Sequence, residues 1–190
     1  MGHRRWHTQV MRPISEAERG VLTRLLSVEF EGAHALRSQA ENIIGVDLNC
    51  TCGCPSITPH VNHDAAPPAK CSSPLPAELA ELDRADGVPR TVLCFLDGEG
   101  YLGNLECVYY DDSRLEWPKP EECAVLLRDT QGYLEGVALP TGPTVRPQEQ
   151  GDRWVSFEGL SDGGFCAVTW SGYRESFGRD GTELSRVIVK

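Results

Sequence analysis

Residues 91–110 read TVLCFLDGEGYLGNLECVYY, and this stretch decides the fold class. Thr91 to Leu96 is an unbroken apolar run of strand length. Asp97-Gly98-Glu99-Gly100 supplies a turn, and Tyr101 to Tyr110 returns with alternating character. Two such runs around an Asp-Gly turn predict a β-hairpin. Side chains alternate across a strand, so Leu105, Cys107 and Tyr109 are expected on one face of the return strand. Asn104, Glu106, Val108 and Tyr110 fall on the other.

Upstream of the hairpin the pattern is helical. Ser15-Glu16-Ala17-Glu18 reads as a capping box, in which the Ser15 hydroxyl accepts from the Glu18 amide and the Glu18 side chain reaches back. Val21, Leu22, Leu25 and Leu26 then form one stripe of a helix. A second helix is expected from Gly32 to Glu41, with Ala33, Leu36 and Ala40 on one side. Ile43, Ile44, Val46 and Leu48 predict a strand, Gly53 to Pro55 a turn, and Ile57 to Val61 a second strand. Residues 62–77, rich in Pro, Ala and Ser, read as a loop.

Downstream, Trp117-Pro118-Lys119-Pro120 closes the hairpin unit. Ala124 to Leu127 and Tyr133 to Leu139 read as short strands, and residues 140–152 as a linker. Trp154 to Glu158 and Phe165 to Tyr173 predict a second hairpin around Ser161 to Gly164, and Leu184 to Val189 a final strand. The tail beyond the linker is too short to bury its own core and is expected to pack onto the first unit. The fold expected is α+β, with two N-terminal helices packed on a mostly antiparallel sheet and a C-terminal β-hairpin extension. Residues 1–12 read as a flexible extension, 13–139 as the core, and 140–190 as linker plus β-rich extension.

Composition narrows the function classes. The chain has 190 residues, 40% hydrophobic and 24% charged, as a globular protein does. No apolar run approaches the ~18 residues of a membrane helix, so no membrane partner is expected. The net charge of -10 argues against a nucleic-acid groove. That charge is uneven, with a balance of 0 over residues 1–75, -9 over 76–135 and -1 over 136–190. The N-terminal MGHRRWH has no apolar run behind it, so a cytoplasmic protein is expected, with Met1 or Met11 as its start. Three Lys against fifteen Arg suggest a bacterial source.

In the cytoplasm the eight cysteines are expected as thiols or metal ligands rather than disulfides. Cys50, Cys52 and Cys54 alternate and, on an extended backbone, would face one way about 7 Å apart. His60, His63 and Cys71 follow closely. Thiolate plus imidazole is the donor set zinc selects, which makes zinc the cofactor these residues admit. Against it, Cys-x-Cys splays the sulfurs where a Cys-x-x-Cys turn would converge them, and a free Cys is often a small buried hydrophobe. Cys94, Cys107, Cys123 and Cys166 lie in apolar strand patterns and read as core. His34, on the second helix among Ala and Leu, reads as a partly buried packing residue.

No G-x-S-x-G elbow, phosphate loop, H-E-x-x-H pair or dinucleotide fingerprint is present in the sequence. Asp111 and Asp112 with Glu106 could serve as paired carboxylates, and a Cys166–His pair as a nucleophile, but nothing singles out either. More suggestive are Tyr101, Tyr109, Tyr110 and Trp117 among Glu106, Asp111 and Asp112. Aromatics rimmed by charge are typical of protein-binding patches, and equally of a hairpin half-buried under a helix. The leading expectation is a non-catalytic binding, inhibitor or immunity-like module that offers an acidic, aromatic hairpin to a basic protein partner. A zinc-stabilised fold and an enzyme of unknown type are the alternatives.

Several pieces together resemble a family of small uncharacterised bacterial proteins. They are Leu22-x-x-Leu25-Leu26, Phe30-Glu31-Gly32-Ala33-x-Ala35-Leu36-Arg37-x-Gln39, and Cys52-Gly53-Cys54-Pro55-Ser56-Ile57. Asp97-Gly98, Gly100-Tyr101-Leu102-x-x-Leu105-Glu106-x-Val108-Tyr109-Tyr110 and Trp117-Pro118 complete them. The likeness spans residues 14–118. It implies two helices on a small antiparallel sheet and carries over no activity or functional residue. The loop at 62–77 and the stretch 119–190 depart from the family, so any specialised role is expected in the extension.

Overall fold

The computed structural model describes residues 11–48, 50, 53–82, 90–109 and 116–189. Ser15 caps the first helix as its spacing predicts: its hydroxyl accepts from the Glu18 amide, and Glu18 accepts from the Ser15 amide at 2.7 Å. This helix is α1 (Glu16–Leu25), followed by α2 (Ala33–Glu41). The strands are β1 (Ile43–Leu48), β2 (Ile57–Val61), β3 (Ala77–Glu81), β4 (Thr91–Leu96), β5 (Leu102–Val108) and β6 (Cys123–Arg128). Then come β7 (Leu134–Ala138), β8 (Thr144–Val145), β9 (Trp154–Gly159), β10 (Phe165–Thr169), β11 (Tyr173–Phe177) and β12 (Glu183–Ile188). All twelve join one sheet in the order β1-β2-β5-β4-β3-β6-β7-β9-β10-β11-β12, with β8 also on β7. Every pairing is antiparallel. The α+β expectation holds coarsely, with the sheet dominating the two helices.

β3 and β6 are covered on both faces, and this organises the molecule. On one side Leu79, Val92, Cys94, Leu105 and Val125 pack with Val21, Leu22 and Leu25 of α1 and Leu36 of α2. On the other, Ala80, Leu82, Ala124 and Leu126 pack with Val137, Trp154, Phe165 and Phe177. Two hydrophobic cores thus share one wall, and the C-terminal strands fold over its second face. Gly159 marks a close approach: a Cβ there would lie 2.6 Å from the Leu82 carbonyl oxygen.

Four readings are corrected. β3 lies just where the 62–77 loop was expected to end, and its sequence Ala-Glu-Leu-Ala-Glu holds no β-branched residue. Pairing with β4 on one side and β6 on the other makes it a strand. Phe165 to Tyr173 is two strands, because the chain reverses at Trp170 to Gly172, where Gly172 takes φ 88°. β8 forms inside the segment read as a linker. His34 is exposed rather than partly buried, whereas Cys94, Cys107, Cys123 and Cys166 are buried. At the β1 edge, Arg12 and Val46 exchange backbone hydrogen bonds of 3.0 and 2.8 Å. Among the described residues no helix is long and apolar enough to cross a membrane.

Candidate functional site

The hairpin forms as its sequence dictates. Asp97 Oδ1 accepts from the Glu99 and Tyr101 amides at 2.9 Å, fixing the turn, and β4 pairs with β5 from Thr91–Val108 to Leu96–Leu102. Its aromatic residues, however, are not on display. Tyr101 is only 8% exposed and stacks on His63 with centroids 3.6 Å apart. Tyr109 and Trp117 are half-buried against the helix-side core, and Tyr109 Oη donates to the Glu116 carbonyl. Tyr109 shares strand parity with Leu105 and Cys107, which turns it inward. Of the two readings of these aromatics, the half-buried hairpin describes the placement of Tyr101, Tyr109 and Trp117. Tyr110, Asp111 and Asp112 lie outside the described residues.

Glu106 keeps the outward position. It pairs across the hairpin with Leu93, Asn104 pairs with Phe95, and Val108 with Thr91. Val92 and Cys94 point into the helix-side core, so alternation sends Leu93 and Phe95 the other way. Leu93, Phe95 and Val108 are half-buried, as Tyr109 is, but belong to neither core. Further along the same face, His60 of β2 hydrogen-bonds Asp47 of β1, Nε2 to Oδ2, at 2.8 Å. On the other flank Glu78 of β3 accepts from Arg128 Nε at 3.0 Å. Asp47 Oδ1 and Asn104 Oδ1 are shielded from solvent and have no hydrogen-bond partner among the described residues. Where β9 approaches, a depression of about 220 Å³ opens between Glu78, Thr91, Arg128 and Trp154 to Phe157. The result is a partly covered sheet face of apolar side chains around Glu106 and Asn104, bordered by two carboxylates with fixed partners.

The residues considered as zinc ligands are dispersed. Cys50 is in a disulfide, which corrects the expectation of a free thiol there. Cys52 lies outside the described residues. Cys54 is half-buried, with its sulfur 3.3 Å from Ser56 Oγ. His60 is held by Asp47, and His63 by its stacking on Tyr101. Cys71 lies under α2, where a Cβ on Gly32 would come within 3.2 Å of its sulfur. The cause is local: β1 and β2 carry His60 to the outward face, while the 62–71 segment returns His63 and Cys71 to the helix side. Among the described residues no three His, Cys, Asp or Glu side chains are grouped to hold a metal ion.

One buried polar group escaped sequence reasoning. Arg90 Nε donates to Glu81 Oε2 at 2.8 Å, and its Nη1 to the Glu116 carbonyl at 3.2 Å. Glu81 is 5% and Arg90 6% exposed. Burial pushes the neighbouring Cys107 thiol up to about 11, and burial together with a hydrogen bond to Cys107 raises Tyr109 as well. These shifts favour neutral groups, so the cluster ties the ends of β3, β4 and β5 together and does not present a nucleophile. Nine residues separate Glu81 from Arg90, and no local spacing signals the pair.

No protein-family model matches this chain, no curated protein is similar to it, and no solved structure matches it.

Proposed function

We propose that the chain is a protein-binding module, of inhibitor or immunity type, that docks a basic protein on the outward face of the β4–β5 hairpin. One observation carries this reading: Leu93, Phe95 and Val108 stand beside Glu106 on the face turned away from the helices, only partly covered and outside both cores. An apolar face interleaved with acid is suited to a partner that brings aliphatic stems and cationic heads together. The balance of -9 over residues 76–135 supports a cationic partner.

The test is capture of the partner on immobilised protein at rising ionic strength, repeated with Glu106→Lys and Phe95→Ala. Retention should fall as the Debye length shrinks from about 10 Å towards 3 Å, and each substitution should lower it further. A partner held equally by wild type and Glu106→Lys at every salt concentration would contradict the proposal.

A further inference from the structure

Three turns of the C-terminal half meet at one corner of the sheet, and hydrogen bonds lock them together. In the β6–β7 turn, Asp129 Oδ1 accepts from the Gln131 and Tyr133 amides at 2.9 and 3.0 Å. Its Oδ2 accepts from Arg153 Nε at 2.9 Å, which ties in the segment before β9. There Asp152 Oδ1 accepts from the Arg153 amide at 2.8 Å, and its Oδ2 accepts from Ser171 Oγ in the β10–β11 turn. The Trp170 amide donates back to the Arg153 carbonyl at 2.8 Å.

This scaffold holds two rings at nearly a right angle. Tyr133 and Trp170 lie 5.4 Å apart at 76°. They wall a depression of about 300 Å³ with Asp129, Gln131, Gly151, Asp152 and Arg153. Trp170 is 68% exposed. The fold gains little from an indole in that position, because neither core includes it. A single exposed apolar residue is ordinary; an indole braced against a second ring over a depression, on cross-linked turns, is a preorganised platform.

The electrostatics select the ligand. Both carboxylates are saturated by internal donors, so they act as fixed negative charge rather than as bases. Although burial opposes it, the bonds from Arg153 and the turn amides hold Asp129 below the usual carboxylate range. Asp152 is held below it in the same way by Ser171 and the Arg153 amide, again against burial. Arg153 offsets one of the two charges and leaves the corner with a formal excess of one negative charge. A ring face with a second ring braced edge-on against it, beside that excess, suits a weakly hydrated cation. The volume is at the small end of ligand sites and fits a headgroup rather than a long molecule.

We propose that the Tyr133–Trp170 corner binds a quaternary or alkylated ammonium group. It is independent of the hairpin face, and its failure would leave that proposal standing. The probe is choline, titrated into the full chain while the Trp170 indole N–H is followed by NMR. Its neutral carbon isostere dimethylbutanol and methyl glucoside serve as comparison ligands.

Choline should shift the Trp170 resonance and dimethylbutanol should not, and Trp170→Ala and Tyr133→Leu should each weaken binding about tenfold. A melting curve on each variant separates lost binding from lost folding, and either correctly folded variant suffices. Equal response to the neutral isostere would reduce the corner to an apolar contact. A response to methyl glucoside alone would make it a saccharide site. Either result, or no response to choline, overturns the proposal.

Discussion

Trp154 Nε1 donates a 2.8 Å hydrogen bond to Glu175 Oε2, and the two residues are 1% and 0% exposed. The other carboxylate oxygen lies 3.3 Å from Arg186 Nε, and the Arg186 guanidinium sits 3.8 Å above the Tyr173 ring. An acid buried among Trp154, Phe165 and Phe177 persists because its charge is matched from β12. Replacing Arg186 by Met should leave that charge with one neutral donor and lower stability. The loss should read as a lower Tm than that of wild type. Glu175→Leu added to Arg186→Met should recover part of the loss, because no buried charge then remains. A double variant no more stable than Arg186→Met would show that the pair contributes mainly by packing.

Stability should decline in alkali through the buried thiols. Burial pushes Cys94 and Cys123 up to about 12 and Cys107 up to about 11, from an ordinary value of 9.0. A thiol whose folded pKa is raised contributes its full stability below the unfolded value. It loses that contribution as pH climbs from about 9 towards the folded value. Urea midpoints should therefore be flat just below pH 9 and fall steeply above it, with a shallower fall in Cys94→Ala. A midpoint independent of pH through that window would contradict the burial of these groups.

At the acid end the start of α1 responds in the opposite sense. Burial opposes ionisation of Glu18, but hydrogen bonds from Arg12 and Ser15 outweigh it and hold its carboxyl below the usual value. A lowered acid contributes above its unfolded pKa and loses the contribution as pH falls through the folded one. Ser15→Ala should cost about 1 kcal/mol. Glu18→Gln should destabilise at neutral pH, and the gap to wild type should close in acid. A gap that stays constant with pH would assign the effect to shape alone.

Much of this architecture was legible locally. The Ser15–Glu18 capping box, the Asp97-Gly98 turn and the alternation along β5 each depend on neighbours within a few residues, and the structure has all three. β3 was not legible, because Ala77 to Glu81 becomes a strand only between β4 and β6. The side taken by the aromatics was half legible: parity groups Tyr109 with Leu105, but it does not say which group faces the helices. The dispersal of His60, His63 and Cys71 follows from strand direction, which proximity in sequence conceals. The platform of Tyr133 and Trp170 joins turns about forty residues apart, beyond the reach of any motif.

The contact between the two halves is open to a single-atom test. A Cβ on Gly159 would meet the Leu82 carbonyl oxygen at 2.6 Å, and backbone on backbone cannot give way cheaply. Gly159→Ala should destabilise by about 1–3 kcal/mol. Hydrogen exchange should rise most in β9 to β12, with the amides of α1 and β4 less affected. Uniform loss of protection across the chain would mean that the cores unfold as one unit.

The account rests most heavily on Leu93 and Phe95 lying, partly covered, on the face away from the helices while Val92 and Cys94 face the helices. Hydroxyl-radical footprinting reads side-chain exposure directly. In the free protein Leu93 and Phe95 should be oxidised readily and Val92 and Leu105 spared, and the captured basic partner should protect the first pair. Leu93 and Phe95 as inert as Val92 in the free protein, or oxidised equally with the partner bound, would contradict the binding face.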